Sequence, residues 1–230
     1  MTEVADSSTV DVTDSDSHST EGESPGFDVA ALRAQAEASW TRIVAWMLTI
    51  GGAIGLIAAF DLSIEKVEML KDPTYSPSCN FNSLFSCGSV METSQASAFG
   101  FPNPFIGVAG FAVFVTVGVG LLSGARYNRW FWAGLQLGAT FAVGFVLWLI
   151  DQSLYDIGKL CPWCMVVWSV TIPTFIFVTV RNAHAFGLVE RSRVAGFLAR
   201  NHGVILAVWV LTVVALIVIR FWDEYFSTLY

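Results

Sequence analysis

Residues 161–180 read CPWCMVVWSVTIPTFIFVTV, an apolar run that begins with a C-x-x-C pair. About 20 helical residues, rising roughly 1.5 Å each, cross the hydrocarbon core of a bilayer. The run therefore predicts a membrane-spanning helix with Cys161 and Cys164 at its first turn. Pro162 suits that turn, because its missing N–H would have no helical partner there in any case.

Apolar runs of similar length lie on both sides of this helix. The chain is 54% hydrophobic and 13% charged, with a mean hydropathy of +0.60, whereas soluble domains are about 45–50% apolar. These values predict an all-α integral membrane protein. We expect five spans, at about 42–61, 104–124, 130–150, 161–180 and 204–221.

The charge of the chain is concentrated at its N-terminus. Residues 1–38 contain nine acidic side chains and one basic one, a charge of −8, so the rest of the chain carries +1 of the total of −7. The segment has few large apolar residues and no signal-peptide pattern, so we expect a disordered cytoplasmic tail. Residues 39–222 would form the transmembrane domain and 223–230 a short extracytoplasmic tail.

Lys and Arg are retained on the cytoplasmic side of membrane proteins, and here they alternate between the loops. Four basic residues fall on one side and eight on the other. The N-terminus is therefore predicted to be inside, at the plasma membrane, and the C-terminus outside. The eight inner residues are Arg33, Arg42, Arg126, Arg129, Arg181, Arg191, Arg193 and Arg200.

This topology places all four cysteines on the outer face. Cys79 and Cys87 lie in a long loop of about 62–103, which we expect to cap the bundle and to contain a short helix from about 88 to 98. Cys161 and Cys164 lie at a helix N-terminus, where free N–H groups and the helix dipole stabilise a thiolate. Because disulfides persist in oxidising compartments, this distribution favours disulfide chemistry in an extracytoplasmic space.

Two other roles for the cysteines stay open. The Cys79 and Cys87 pair could form a static disulfide, since its spacing alone does not distinguish a structural bond from a catalytic one. A four-cysteine zinc site would need two short C-x2–4-C arms, and the chain has one; no metal is expected. The C-x-x-C pair favours a cycling dithiol, with Cys164 deeper in the membrane than Cys161 by about 4.5 Å.

In combination, these motifs resemble the bacterial form of the vitamin K epoxide reductase family over about residues 40–222. The resemblance is carried by the C-x7-C loop, by Cys87-Gly-Ser-Val-Met with the nearby Thr93, by Phe99-Gly-Phe-Pro-Asn103-Pro and by Cys161-Pro-Trp-Cys164. In the DsbB-like quinone oxidoreductases the C-x-x-C pair comes first, whereas here it comes second.

The resemblance implies a four-helix bundle around a quinone, with a fifth transmembrane helix alongside. It implies that Cys87 exchanges with Cys161, that Cys79 faces a partner protein and that Cys164 faces the quinone. Asn103 matches an asparagine that hydrogen-bonds the quinone, and Thr93 matches a hydroxyl that supports the cap. Trp168 stands where animal members have a tyrosine, and we include it among the quinone-binding residues.

The leading hypothesis is a membrane enzyme that reoxidises a DsbA-like thioredoxin-fold protein and passes the electrons to a quinone, driving disulfide formation. The chain ends at Tyr230, soon after the last span, so we expect the partner to be a separate protein. The resemblance favours menaquinone or another vitamin K-type quinone over ubiquinone. Lipid is an expected contact and nucleic acid is not. The alternatives are a quinone epoxide reductase and a non-catalytic scaffold with static disulfides.

Overall fold

The computed structural model describes residues 29–227, and within this range the chain is almost entirely helical. The bounds of the nine α-helices are as follows: α1 Val29–Trp46, α2 Gly52–Lys71, α3 Cys87–Met91, α4 Pro104–Leu122, α5 Arg129–Asp151, α6 Pro162–Ala185, α7 Leu188–Arg191, α8 Arg193–Arg200 and α9 His202–Ser227. Two π-helical segments extend this set, Met47–Gly51 between α1 and α2 and Gln152–Ile157 after α5. The described residues contain no named strand, and one isolated backbone bridge joins Phe85 to Leu160.

Five helical segments are long and apolar enough to cross a membrane, which confirms the predicted fold class. The segments are Ala34–Lys71, Pro104–Leu122, Arg129–Ile157, Pro162–Ala185 and His202–Trp222. The chain is therefore a multi-pass membrane protein.

The first helix is longer than predicted at both ends. It begins at Val29, within the segment predicted to be disordered, because residues 29–38 are rich in alanine and other strong helix formers. It also continues to Lys71, through residues that were predicted to belong to the outer loop. Residues 1–28 of the predicted disordered tail lie outside the described residues. The same is true of residues 228–230, the end of the predicted outer tail.

The outer loop also differs in detail from the prediction. Instead of one short helix over 88–98, it contains α3 followed by a 3₁₀-helical turn, Ser94–Ser97. Residues 151–160, which separate the predicted spans at 130–150 and 161–180, are also mostly helical, since the π-helical segment continues α5 to Ile157. The second change places more backbone in regular structure close to Cys161.

Close helix packing forms the bundle that positions the site. The helix α2 packs mainly against α4 and α6, and α5 packs against α6. Gly55 makes the α2–α4 approach possible, because a Cβ atom at this position would lie 2.4 Å from Cε1 of Phe111. In contrast, α9 packs against α6 and α8 and has few buried residues, as expected for a fifth helix beside the bundle.

A polar cluster closes the bundle at the end opposite the cysteines. The Arg181 guanidinium lies 3.6 Å from the centre of the Trp132 ring and donates to Asn182 Oδ1 at 3.2 Å. The Asn182 amide donates in turn to Gln136 Oε1 at 3.1 Å and to the Trp132 carbonyl at 3.3 Å. This network ties the start of α5 to the end of α6, so the opposite ends of these helices are held in a fixed position.

Candidate redox site

A short backbone pairing brings the two cysteine pairs together. The Ser86 N–H donates to the Leu160 carbonyl at 3.0 Å, and the Leu160 N–H donates to the Leu84 carbonyl at 2.9 Å. Cys87 and Cys161 each follow directly after a residue of this pairing. Residues that are 74 positions apart in the chain therefore start their helices, α3 and α6, side by side.

The sulfur atoms of Cys87 and Cys161 are 3.4 Å apart. Cys87 is joined to Cys79 by a disulfide bond, whereas Cys161 and Cys164 are thiols. Both Cys87 and Cys161 are completely buried. A thiol in contact with one sulfur of a disulfide is the arrangement that thiol–disulfide exchange requires, since the thiolate attacks a disulfide sulfur directly.

The N-terminus of α6 stabilises the Cys161 thiolate. Cys161 is the N-cap residue, and its sulfur accepts a hydrogen bond from the Cys164 backbone N–H at 3.4 Å. A hydrogen bond from the Cys164 thiol lowers the pKa of Cys161; the N–H groups of Cys164 and Trp163 act in the same direction, and burial opposes them. Cys161 is therefore suited to act as the nucleophile and leaving group of the pair.

Glu65 of α2 holds the loop that precedes Cys79. Its buried carboxylate accepts hydrogen bonds from the Tyr75 hydroxyl at 2.8 Å and from the Ser78 hydroxyl at 2.6 Å, together with the Ser78 backbone N–H at 3.2 Å. The bond to Glu65 raises the pKa of Tyr75, because it stabilises the neutral phenol. Hydrogen bonds to a charged acceptor are about twice as strong as neutral ones. Glu65 thus fixes the segment next to the disulfide.

A second set of contacts closes the loop between the two cysteines. The Asn80 side-chain oxygen accepts from the Gly88 N–H at 2.9 Å and from the Ser86 hydroxyl at 3.0 Å. The Lys159 ammonium group donates to the Ser83 carbonyl. With these contacts in place, Cys79 is only 3% exposed, although Ser78 and Asn80 on either side of it are exposed.

An apolar cavity of about 660 Å³ borders Cys164, and the exposed side chains of Val113 and Trp130 on its wall show that it opens to the outside of the bundle. Its walls come from α2, α3, α4, α5 and α6, and Cys164 is the one cysteine of the four that reaches them. The volume is within the range of about 300–1,000 Å³ that is typical of small-molecule sites, which are also mostly apolar with a few polar groups. The polar side chains on the wall include Gln95, Asn103 and Ser153.

The predicted quinone-binding residues fall at different places relative to this cavity. Asn103 lies on the wall and donates to the Gln95 carbonyl at 2.7 Å, so one of its two amide hydrogens stays available. Trp168 also lies on the wall, and its indole makes no hydrogen bond within residues 29–227. Thr93 does not line the cavity; its hydroxyl donates to the Val90 carbonyl at 2.8 Å, at the end of α3.

Sequence reasoning missed Glu65, Asn80 and Ser153. Glu65 was placed in the outer loop, although the helical spacing of Ala58, Leu62 and Glu65 was a signal that α2 continues with one buried face. The hydrogen bonds of Asn80 depend on how the loop between Cys79 and Cys87 folds, and the position of Ser153 on the cavity wall depends on how the helices pack, for which the sequence contains no local signal. Among the described residues, no group of three or more His, Cys, Asp or Glu side chains could hold a metal ion.

The sequence also matches the profile of a known protein family. The sequence profile of the vitamin K epoxide reductase family matches residues 46–179, which is more than half of the chain and includes all four cysteines, the cap and Asn103. A comparison with curated proteins found no matching sequence.

Proposed function

The chain belongs to the vitamin K epoxide reductase family, and we propose that it reoxidises an extracytoplasmic, DsbA-like thioredoxin-fold protein and reduces a membrane quinone. The family is associated with membrane redox chemistry at disulfides, with quinones and with thioredoxin-like partners. One observation carries the proposal. The Cys161 sulfur contacts Cys87, whereas the Cys164 sulfur lies at the wall of an apolar cavity.

The first exchange is with the partner. A partner thiolate attacks the Cys79 sulfur, the Cys79–Cys87 bond breaks and Cys87 leaves as a thiolate. The second partner cysteine then attacks its own sulfur in the mixed disulfide, and Cys79 leaves as a thiolate. The partner has lost two electrons, and the loop pair has gained them.

The second exchange is internal. Cys87 attacks the Cys161 sulfur of an oxidised C-x-x-C pair and Cys164 leaves; Cys79 then attacks Cys87, and Cys161 leaves as a thiolate stabilised by the helix N-terminus. The products are a Cys79–Cys87 disulfide and two thiols at Cys161 and Cys164. The structure has this distribution of bonds.

The last transfer occurs at the cavity. A quinone held here by Asn103 would supply an acceptor for two electrons and two protons. Cys161 and Cys164 lose the same number when their disulfide reforms, so the reaction is balanced. The apolar walls exclude water, and Asn103 retains an N–H that can hold a carbonyl oxygen. Phe141 and Phe145 stack on each other at the wall, a surface suited to the two-ring head of a vitamin K-type quinone.

We propose that the cysteines face the extracytoplasmic side of the plasma membrane. The structure places the cysteine pairs and the Arg181 cluster at opposite ends of the bundle, and the inner loops carry most of the Arg residues. After reduction of intact cells, a membrane-impermeant thiol reagent should label the Cys79 thiol of the opened loop, and only from that side.

The test uses the full-length protein in lipid nanodiscs, with a reduced DsbA-like protein as electron donor and a short-chain menaquinone as acceptor. We expect quinone reduction by the wild type and its loss in Cys161→Ser and in Cys164→Ser. Undiminished reduction by both variants would overturn the proposal. A parallel reaction with a quinone epoxide tests the alternative substrate, and turnover of the epoxide in place of the quinone would contradict the proposed direction.

A further inference from the structure

Ser153 is a buried hydroxyl that the proposed reaction does not yet use. It lies in the π-helical segment Gln152–Ile157, is 4% exposed and lines the cavity. Ile157, at the end of the same segment, also lines the cavity and packs against the cluster that contains Cys161 and Cys164. Ser153 therefore faces the cavity from a segment that connects directly to the redox site.

The hydrogen bonding of Ser153 differs from that of the other buried hydroxyls in the spanning helices. Ser63, Thr171 and Thr174 each donate to the carbonyl four residues earlier, at 2.7–2.8 Å. Ser153 makes no hydrogen bond to any of the residues that the structure describes. In a π-helical turn each backbone N–H bonds to the carbonyl five residues earlier instead of four. The carbonyl to which a serine hydroxyl would donate in an α-helix is therefore displaced from its α-helical position.

The surface that Ser153 retains borders the cavity, so its hydroxyl can bond to whatever occupies that space; in native structures a polar group with no protein partner usually has a ligand or a functional reason. Here the hydroxyl borders a space large enough for a small molecule, and that space is otherwise almost entirely apolar. Single π-helical turns within α-helices are also frequent at functional sites. The irregular backbone and the unpaired hydroxyl thus indicate the same conclusion, a ligand atom that accepts a hydrogen bond from Ser153.

We propose that the Ser153 hydroxyl donates a hydrogen bond to a carbonyl oxygen of the quinone bound in this cavity. The inference rests on the proposed function and adds a binding residue from the end of α5. Together with Asn103, the residue that precedes α4, it would orient the quinone head at the end of the cavity where Cys164 lies. A hydrogen bond to a carbonyl oxygen also favours the reduced form, which carries more negative charge on that oxygen.

The experiment measures binding instead of turnover. The full-length protein in nanodiscs is titrated with a naphthoquinone that bears a two-isoprene tail and ¹³C-labelled carbonyls, and the bound carbonyl stretch is recorded by infrared difference spectroscopy. For Ser153→Ala we expect about a 3- to 10-fold weaker affinity, as for the loss of one hydrogen bond, and a shift of one carbonyl band to higher wavenumber. Ser153→Thr should retain the wild-type band.

Ser63→Ala is the matched control. It makes the same substitution at a buried hydroxyl that is bonded within its own helix and does not line the cavity. Its affinity and carbonyl bands should equal those of the wild type. Wild-type affinity and bands in Ser153→Ala would overturn the role of Ser153 alone, whereas absence of quinone binding by the wild type would overturn the proposed function as well.

Discussion

The two cysteine pairs are in contact through Cys87 and Cys161, but different kinds of structure hold them. The loop pair depends on side-chain hydrogen bonds, chiefly from Glu65 on α2 and from Asn80 within the loop itself, because the segment between Lys71 and Cys87 is irregular. The helix pair depends on the backbone of α6, which supplies the N–H groups around the Cys161 sulfur. The loop pair is thus held by individual side-chain contacts, whereas the helix pair is held by consecutive backbone groups of one long helix.

Because of this difference, we expect the loop pair to open during the reaction and the helix pair to stay in place. Cys79 is 3% exposed, so a partner thiolate reaches its sulfur only when the loop opens. Cys164 needs no such opening, since it already borders the cavity. Exchange with a partner therefore requires the loop to open, whereas exchange at the cavity requires no such movement.

The largest effect is expected when Cys161 and Cys164 are replaced one at a time. Replacement of either by Ser should lower quinone reduction at least about 1,000-fold, as for removal of a nucleophile, but the remaining bonds should differ. In Cys164→Ser, Cys161 can still attack Cys87, so a Cys87–Cys161 disulfide accumulates and Cys79 becomes alkylated. In Cys161→Ser, the Cys79–Cys87 bond should persist and Cys164 should be alkylated. Peptide mass spectrometry after alkylation measures both patterns.

An equal yield of a Cys87–Cys164 bond in Cys161→Ser would contradict this prediction. It would show that the two C-x-x-C positions are interchangeable in their contact with the loop. The 3.4 Å distance between the Cys87 and Cys161 sulfurs would then not determine the order of exchange.

A smaller effect is expected when the loop is loosened at Glu65. The Gln side chain of Glu65→Gln keeps one oxygen but cannot accept from both Tyr75 and Ser78 as the carboxylate does. Each hydrogen bond to a charged group contributes about 1.5–3 kcal/mol, so a water-soluble phosphine should reduce the Cys79–Cys87 bond at least about tenfold faster. The rate is followed by alkylation of the released thiols.

Glu68→Gln provides the control, because it makes the same substitution on the same helix. The Glu68 carboxylate pairs with Lys71 on the exposed surface, where ion pairs contribute little. Its reduction rate should equal that of the wild type. Equal rates in Glu65→Gln and the wild type would show that the loop is held mainly by Asn80 and the pairing with Leu160.

Much of the fold could be predicted from the sequence, since the energetic requirement for a membrane span is local. Any window of about 20 apolar residues satisfies it, and all five spans were found in this way. The far end of α2 was missed, because Glu65, Lys66 and Glu68 interrupt the hydropathy while remaining good helix formers. Hydropathy identifies where a helix leaves the membrane and not where it ends.

The site was predictable only in part. The C-x-x-C spacing with Pro162 identified the helix pair, since those residues are adjacent in sequence. The contact between Cys87 and Cys161 depends on backbone bonds between residues 84–86 and Leu160, which no local pattern indicates. The surroundings of Gly134 and Gly138 could not be predicted from the local sequence either. Their G-x-x-x-G spacing suggests close helix packing, but both border the cavity instead.

The helix pair can be tested through the titration of Cys161. Because its pKa is lowered, Cys161 should remain a thiolate at pH values where an ordinary cysteine is protonated, and it should protonate only as the pH falls through the lowered value. The thiol of Cys164 is the main cause, so Cys164→Ala should move the titration midpoint upward. NMR of ¹³Cβ-labelled cysteine measures the midpoint, and an unchanged midpoint in Cys164→Ala would leave the helix backbone as the principal cause.

The smallest expected effect concerns the outer surface of the loop pair. Phe81 lies between Cys79 and Cys87 and is 72% exposed, so Phe81→Ala should not change the stability of the protein or the reduction of its disulfide by a small dithiol. An exposed aromatic side chain beside a reactive bond is suited to contact a protein partner, and oxidation of the DsbA-like protein should slow about 3- to 10-fold.

Leu84→Ala, at a buried position of the same loop, should instead lower the free energy of unfolding by about 2–3 kcal/mol and change both reactions. Phe81→Ala could instead slow disulfide reduction by the small dithiol and oxidation of the DsbA-like protein equally. The exposed side of the loop would then hold the disulfide in place and would not recognise a partner. The distinction between a moving loop pair and a fixed helix pair would in that case rest on Glu65 and Asn80 alone.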